Sequence, residues 1–208
     1  MEISGIILAG GGSRRMGVNK ALLEIGGTPL ISNLISQLSA VANTLMISCS
    51  QKDVDSNTYG FLNLPIVTDI YPGLGPLGGL HAGLSHSRTE WNAVSACDLP
   101  FASKELLMYM YSLVENAGSG VQAIVPVAAN GKVQPLFALY HINVLPSLQE
   151  ALEQQHSRVM EWLNGLNVQY VPESEFPERF INKQDTLLNM NTPDDYRMAV
   201  ERVTKQSD

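Results

Sequence analysis

An α/β fold on a mostly parallel central sheet is what this sequence predicts, and three observations predict it. Short apolar runs recur along the 208 residues, each ending at a small or polar turn. That is how strands buried on both faces read. Between the first two runs, Leu30, Ile31, Leu34, Ile35 and Leu38 fall at helical spacing. Strand, crossover and strand thus fit within about 45 residues, the repeating unit of a doubly wound sheet. Late in the chain two runs, 121–127 and 134–140, are joined by a turn over 128–132 alone. So short a connection predicts a hairpin, and therefore an antiparallel extension of the sheet.

The elements follow in order. Ile3, Ile6, Ile7 and Leu8 make a first strand that stops at three glycines. Residues 21–25 read as a short extended piece, with Gly26-Gly27 as a tight turn. Thr28 as N-cap and Pro29 at the first helical position predict a helix over 29–41. Residues 44–49 are the second strand, 50–63 a polar surface loop with room for one helical turn, and 64–67 a third strand ending near Asp69. A Gly/Pro-rich stretch over 71–84 feeds a helix of about 77–88. Residues 91–97 are the fourth strand, and Ser103 caps a helix over 104–117. After the hairpin come helices over 144–154 and 158–164, a strand over 167–171 and a polar loop over 172–186. A last helix runs over 193–204, with Thr192 as N-cap and acids in its first turn. The length suits one domain, with no linker, repeat or low-complexity segment.

Composition narrows the function. The formal net charge of −7 argues against a generic nucleic-acid binder, which needs a basic face. No apolar run is long enough to cross a membrane and the N-terminal residues lack a basic region, so a cytoplasmic protein is expected. Cys49 and Cys97 sit far apart, without zinc spacing, and read as small core residues.

Against that acidic background, residues 10–20 hold four glycines, two arginines and a lysine. Glycine lets several backbone N–H groups approach an anion, and Arg14, Arg15 and Lys20 add charge, so the stretch reads as a phosphate cradle. It is not a Walker loop, since Val18 and Asn19 separate Gly17 from Lys20; nor is it a dinucleotide fingerprint, since Arg15 stands where the third glycine belongs. A second glycine-rich turn, around Gly75 and Gly78, leads into a helix N-terminus, another anion or purine site. In open parallel sheets the carboxyl ends of strands face the ligand, which places Ser48, Asp69 and Asp98 at the crevice. Asp98, locked by the turn at Pro100, is placed to bind a hard cation. His81 reads as a packing or surface histidine and Arg158 as a surface cation. Asn189 and Asn191, two apart in an extended piece, present their amides to one side.

Four motifs in order resemble one family. Leu8-Ala9-Gly10-Gly11-x-Ser13-x-Arg15-Met16-Gly17-x-x-Lys20 is similar to the signature loop of the molybdenum cofactor guanylyltransferases. Gly75-Pro76-Leu77-Gly78-Gly79, Cys97-Asp98-x-Pro100 and Asn189-x-Asn191-Thr192-Pro193 resemble three further segments of that family. One departure stands out: the family usually carries aspartate before the lysine, where this chain has Asn19, and position 19 is not counted as catalytic.

The resemblance implies a three-layer, Rossmann-like nucleotidyltransferase fold in one domain over 1–208. About 1–100 would be the nucleotide-binding half and about 101–208 the acceptor-binding half. It implies transfer of GMP from GTP to the terminal phosphate of molybdenum-molybdopterin, with pyrophosphate released. Magnesium would sit on Asp98, with Lys20, Arg15 and Asp98 as the catalytic set. Leu8, Ala9, Gly10, Gly11, Gly12, Lys20, Ser48, Asp69, Gly75, Gly78 and Asp98 would bind the nucleotide, Asp69 reading the base. Arg158, near the acceptor phosphate, and Asn189 and Asn191, beside the pterin, would bind the acceptor. Molybdopterin-inserting proteins or apo-molybdoenzymes would be downstream partners. A cytidylyltransferase acting on the same cofactor or on a sugar phosphate, and a non-catalytic carrier of the molybdenum cofactor, are the alternatives; retention of Lys20, Arg15 and Asp98 argues against the carrier.

Overall fold

A computed structural model describes residues 2–10, 19–178, 180 and 185–207, with side chains described through 204. Seven strands form one sheet: β1 (Ile3–Leu8), β4 (Thr44–Cys49), β5 (Ile66–Thr68), β6 (Trp91–Ala96), β7 (Ala123–Val127), β8 (Phe137–His141) and β9 (Val168–Pro172). Their order is β5-β4-β1-β6-β8-β7-β9. The first four are mutually parallel, β8 runs antiparallel to both β6 and β7, and β9 is parallel to β7. The late hairpin is therefore present, and β8 is the reversed strand that joins it to the parallel half.

The strands alternate between two cores, as a period of two requires. Ile3 and Ile7 of β1 enter one apolar cluster, with α1 (Leu30–Leu38) and α4 (Lys104–Val114) packed over it. Ile6 and Leu8 enter the other, beneath α3 (Pro76–His86), α5 (Leu145–Glu153) and α6 (Val159–Leu163). Helix, sheet and helix give three layers. Each fully buried Leu or Ile contributes about 1.5–3 kcal/mol of transfer free energy, so both faces hold the sheet. α3 lies especially close to the sheet, because a Cβ on Gly83 would come within 2.4 Å of Ile6 Cγ2.

Three stretches differ from the sequence reading. Residues 20–22 form a 3₁₀ turn rather than extended chain. Thr28 does not cap α1: it pairs with Ile25 in a small hairpin of β2 (Glu24–Ile25) and β3 (Thr28–Pro29), and Pro29 occupies the N-cap without a side-chain bond. The glycine pair explains this, with φ of +61° at Gly26 and +76° at Gly27 as a two-residue hairpin turn needs. Residues 50–63 carry more structure than a loop. Ser50 and Asp53 form a capping box that starts α2 (Gln51–Asp55), and a 3₁₀ turn follows over Gly60–Leu62. Tyr59, between the two, is 1% exposed. The last helix, α7 (Pro193–Ser207), starts where expected: Thr192 Oγ1 accepts from Asp195 N at 3.2 Å.

Candidate active site

The parallel half of the sheet sets the site, because its four strands end side by side. The register pairs Leu8 with Ser48 on one side and Ala96 on the other, and Ser48 with Val67. Asp69 and Asp98 lie just beyond the ends of β5 and β6. Backbone bonds hold the tips together: the N–H groups of Ala9 and Gly10 both donate to Ser48 O, at 2.9 and 3.2 Å. The Ser48 hydroxyl is buried and donates to Gly79 O at 2.8 Å, tying β4 to the first turn of α3. Ser48 lies under the crevice, and its side chain is spent on holding the helix there.

Asp98 is where that crevice meets the segment 187–192. One carboxylate oxygen, Oδ2, accepts from Asn189 Nδ2 at 3.0 Å; its backbone carbonyl accepts from Met190 N at 2.7 Å. The other, Oδ1, is buried and has no hydrogen-bond partner among the described residues. A buried carboxylate oxygen without a donor is costly. A hard cation is the group that relieves it, so the residue fits magnesium. No cluster of three or more His, Cys, Asp or Glu side chains with metal spacing occurs among the described residues. Asp98 would hold the ion through this one oxygen, and magnesium commonly draws its other ligands from water and phosphate. Cys97, next to it, takes no part: burial pushes its thiol up to about 12.

The segment 187–192 links Asp98 to Lys20. Asn189 Oδ1 accepts from Gln134 Nε2 at 2.8 Å and from the Lys132 ammonium. This fixes the amide so that its nitrogen faces Asp98. Gln134, 4% exposed, also donates to Leu187 O at 2.8 Å. Lys20 Nζ donates to Met190 O at 2.9 Å and to Asn191 Oδ1 at 3.1 Å. Asp195 Oδ2 anchors the segment by accepting from the N–H groups of Asn191 and Thr192, at 2.7 and 2.8 Å. Both asparagines that the sequence assigned to an acceptor thus bond to members of the expected catalytic set. Lys132 and Gln134 were not assigned from sequence; the Gln134-Pro135 dipeptide was the available signal.

On the far side, Asp69 sits against the start of α3. Its Oδ1 accepts from Tyr71 N at 2.6 Å, and a Cβ on Gly78 would fall 2.2 Å from Oδ2. Only glycine leaves room there for the carboxylate. Gly75, at the N-cap with φ of +67°, has Ser157 O as its nearest neighbour, 4.0 Å from where a Cβ would stand. Burial raises the Asp69 carboxyl above its ordinary range, opposed by the Tyr71 N–H and by His81. Burial lowers His81 below 6.5, opposed by Asp69. His81 is 5% exposed, its ring edge-on to Tyr71 at 5.2 Å, with Nδ1 buried and unpartnered among the described residues. It packs inside rather than on the surface. Arg158 is exposed and paired with Glu161 at 2.6 Å, on the residue after the Ser157 that borders Gly75. Of the remaining expected residues, Gly11, Gly12 and Arg15 lie outside the described residues.

The same architecture occurs in known proteins. The MobA-like NTP transferase domain matches residues 5–169. A probable molybdenum cofactor guanylyltransferase of Carboxydothermus hydrogenoformans is 32% identical, covering 94% of this chain and 93% of its own. The molybdenum cofactor guanylyltransferase of Yersinia pseudotuberculosis is 33% identical, covering 93% of each. The crystal structure of molybdopterin-guanine dinucleotide biosynthesis protein A from Archaeoglobus fulgidus superposes with a TM-score of 0.83 at 28% identity, over 97% of this chain and 99% of that one. With its crevice, its aspartate carrying one buried oxygen and these full-length matches, this chain belongs to the molybdenum cofactor guanylyltransferase family and is a nucleotidyltransferase.

Proposed function

We propose that the protein transfers GMP from GTP to the terminal phosphate of molybdenum-molybdopterin, releasing pyrophosphate and forming the guanine dinucleotide cofactor. The observation that carries this reading is Asp98: its Oδ1 is buried and without a partner among the described residues, and its Oδ2 is fixed by Asn189. A carrier of a finished cofactor has no use for such an oxygen, whereas triphosphate chemistry does.

An oxygen of the acceptor's terminal phosphate attacks the α-phosphorus, and the bond from that phosphorus to the β-phosphate bridging oxygen breaks. The electron pair leaves on pyrophosphate. The attacking oxygen is already anionic near neutral pH, so the residues need not remove a proton. What they must do is bring two anions together, by positioning and by charge neutralisation. Magnesium, when bound by Asp98, supplies Lewis-acid neutralisation of the phosphate oxygens. Lys20 places one positive charge between the halves, since its ammonium already reaches the 190–191 segment. In this reading Arg15 adds a second charge to the leaving phosphates, and Gly10, Gly11 and Gly12 bind them through their amides.

Leu8 and Ala9 border the nucleoside, beside the tip of β4 that Ser48 fixes to α3. Asp69, Gly75 and Gly78 frame the base. Guanine offers N1–H and N2–H₂ as donors, which an ionised Asp69 accepts and cytosine cannot match. Asn191 and Arg158 face the acceptor. The nucleotide-binding half is then about 1–100 and the acceptor-binding half about 101–208 of one domain. The reaction belongs in the cytoplasm, with molybdopterin-inserting proteins or apo-molybdoenzymes receiving the product. No described helix is long and apolar enough to cross a membrane.

A thermal-shift panel of GTP, CTP, ATP and UTP with magnesium tests the reading, because a ligand of the native state raises the melting temperature. A shift with GTP alone is expected. A shift with CTP alone would make it a cytidylyltransferase, and no shift with any would remove the nucleotide site.

A further inference from the structure

Two features set aside by the sequence reading meet in one hydrogen-bond chain. Asn19, which precedes Lys20, is not counted as catalytic in the sequence reading, and Tyr59 lies in the stretch expected to be a polar surface loop. Asn19 Nδ2 donates to the Tyr59 hydroxyl at 2.9 Å, and that hydroxyl donates to Ala9 O at 3.0 Å. Asn19 Oδ1 meanwhile accepts from Ala21 N at 3.0 Å, capping the 3₁₀ turn Lys20–Leu22. The amide orientation follows from its neighbours, because only the oxygen can face the Ala21 N–H.

We propose that Asn19 and Tyr59 are positioning residues for Lys20, locking the turn that carries it to the tip of β1. The proposal rests on the nucleotide-site reading above. Ala9 is itself held to β4 by its bond to Ser48 O. The chain therefore ties Lys20 to the strand tips that border the nucleotide. Its direction is fixed: burial holds the Tyr59 hydroxyl protonated well above the ordinary phenol range, so it has one proton to give, and Ala9 O takes it. Tyr59 can then only accept from position 19, and Asn19 supplies the donor. An aspartate there would offer a second acceptor for the same proton. Either Ala9 O or the new carboxylate would be left without a donor.

Three variants separate capping from tying. Tyr59→Phe keeps the buried ring and removes the hydroxyl. Asn19→Ser keeps an acceptor for the Ala21 N–H but is too short to reach Tyr59. Asn19→Asp keeps the cap and reverses the donor. Each is expected to raise the dissociation constant for magnesium GTP, measured by calorimetry, about five- to ten-fold, the worth of one such hydrogen bond. The Asn19→Ser/Tyr59→Phe double variant should be no weaker than either single one, because both break one chain. Unchanged affinity in Tyr59→Phe would overturn the proposal, as would a lowered melting temperature with GTP affinity intact, or additive losses in the double variant. If the wild-type protein itself binds no triphosphate, the functional reading falls and the assignment to Lys20 falls with it. That result is distinct from a wild type that binds beside variants that bind equally well.

Discussion

On the side of Ala9, Ser48 and Gly78 the site is assembled from backbone groups and missing side chains. On the side of Asn189 it is assembled from side-chain amides reaching across the chain. The first side depends on close approach: two N–H groups on one carbonyl, a serine on a helix carbonyl, a carboxylate where a Cβ would be. The second depends on the chain Gln134–Asn189–Asp98, whose links span 55 and 91 residues. The two sides tolerate change differently. Glycine positions fail sterically, whereas the amide chain fails when one member loses a donor or acceptor and leaves its neighbour unsatisfied.

The sharpest break falls where the two sides meet. Asp98→Ala should abolish turnover, with pyrophosphate release at least about a thousand-fold below wild type, since charge neutralisation at such a site supplies several kcal/mol. Near-wild-type release in that variant would remove the metal assignment.

One link further out, Asn189→Ala frees Asp98 Oδ2 and takes from Gln134 one of its two acceptors, leaving Leu187 O. Turnover should fall about 10- to 100-fold, as it does when a ligand loses its outer partner. Gln134→Leu should act the same way and cost about 1–3 kcal/mol in denaturant unfolding, because Leu187 O loses its donor. Activity unaffected by Gln134→Leu would show that the amide chain is scaffolding alone.

Much of the fold was legible because its cues are local. The apolar runs, the Thr192-Pro193 start of α7 and the Ser103 cap each lie within a few residues of what they specify. The Thr28 cap failed because the Gly26-Gly27 turn extended a hairpin through Thr28 and Pro29, so pairing overrode a cap signal. Asp69 and Asp98, each just past the end of an apolar run, could be found for the same local reason. Tyr59 could not, because its hydroxyl meets Ala9 and Asn19, 50 and 40 residues away. Lys132 and Gln134 were missed likewise: the Gln134-Pro135 dipeptide marks the place, but nothing near it names the partner, an asparagine more than 50 residues on.

On the backbone side, Gly78→Ala should move the Asp69 carboxylate, since the added carbon would lie 2.2 Å from Oδ2. A loss of about 1–3 kcal/mol is expected, as for overpacking generally, together with weaker discrimination of GTP from other triphosphates. Unchanged discrimination would take Asp69 out of base reading.

The smallest effect is on pH. Burial lowers His81, so the unfolded chain takes up its proton near 6.5 while the folded chain resists to lower pH. The unfolded state then binds more protons in that window. The His81 contribution to stability is therefore complete above pH 6.5 and is lost as pH falls below it. Asp69 acts oppositely in its own window: its raised folded value means that its contribution falls as pH rises from 3.8 through that value. An NMR titration should place the His81 midpoint below 6.5; a midpoint above it would mean that the Asp69 charge, not burial, governs the ring.

The most direct test of the central claim is to follow α-labelled GTP with magnesium and molybdenum-molybdopterin. The label should appear in a molybdopterin dinucleotide, with one pyrophosphate released per GMP transferred, and not when CTP replaces GTP. Absence of label from the pterin product, or pyrophosphate released without acceptor at the same rate, would contradict the account.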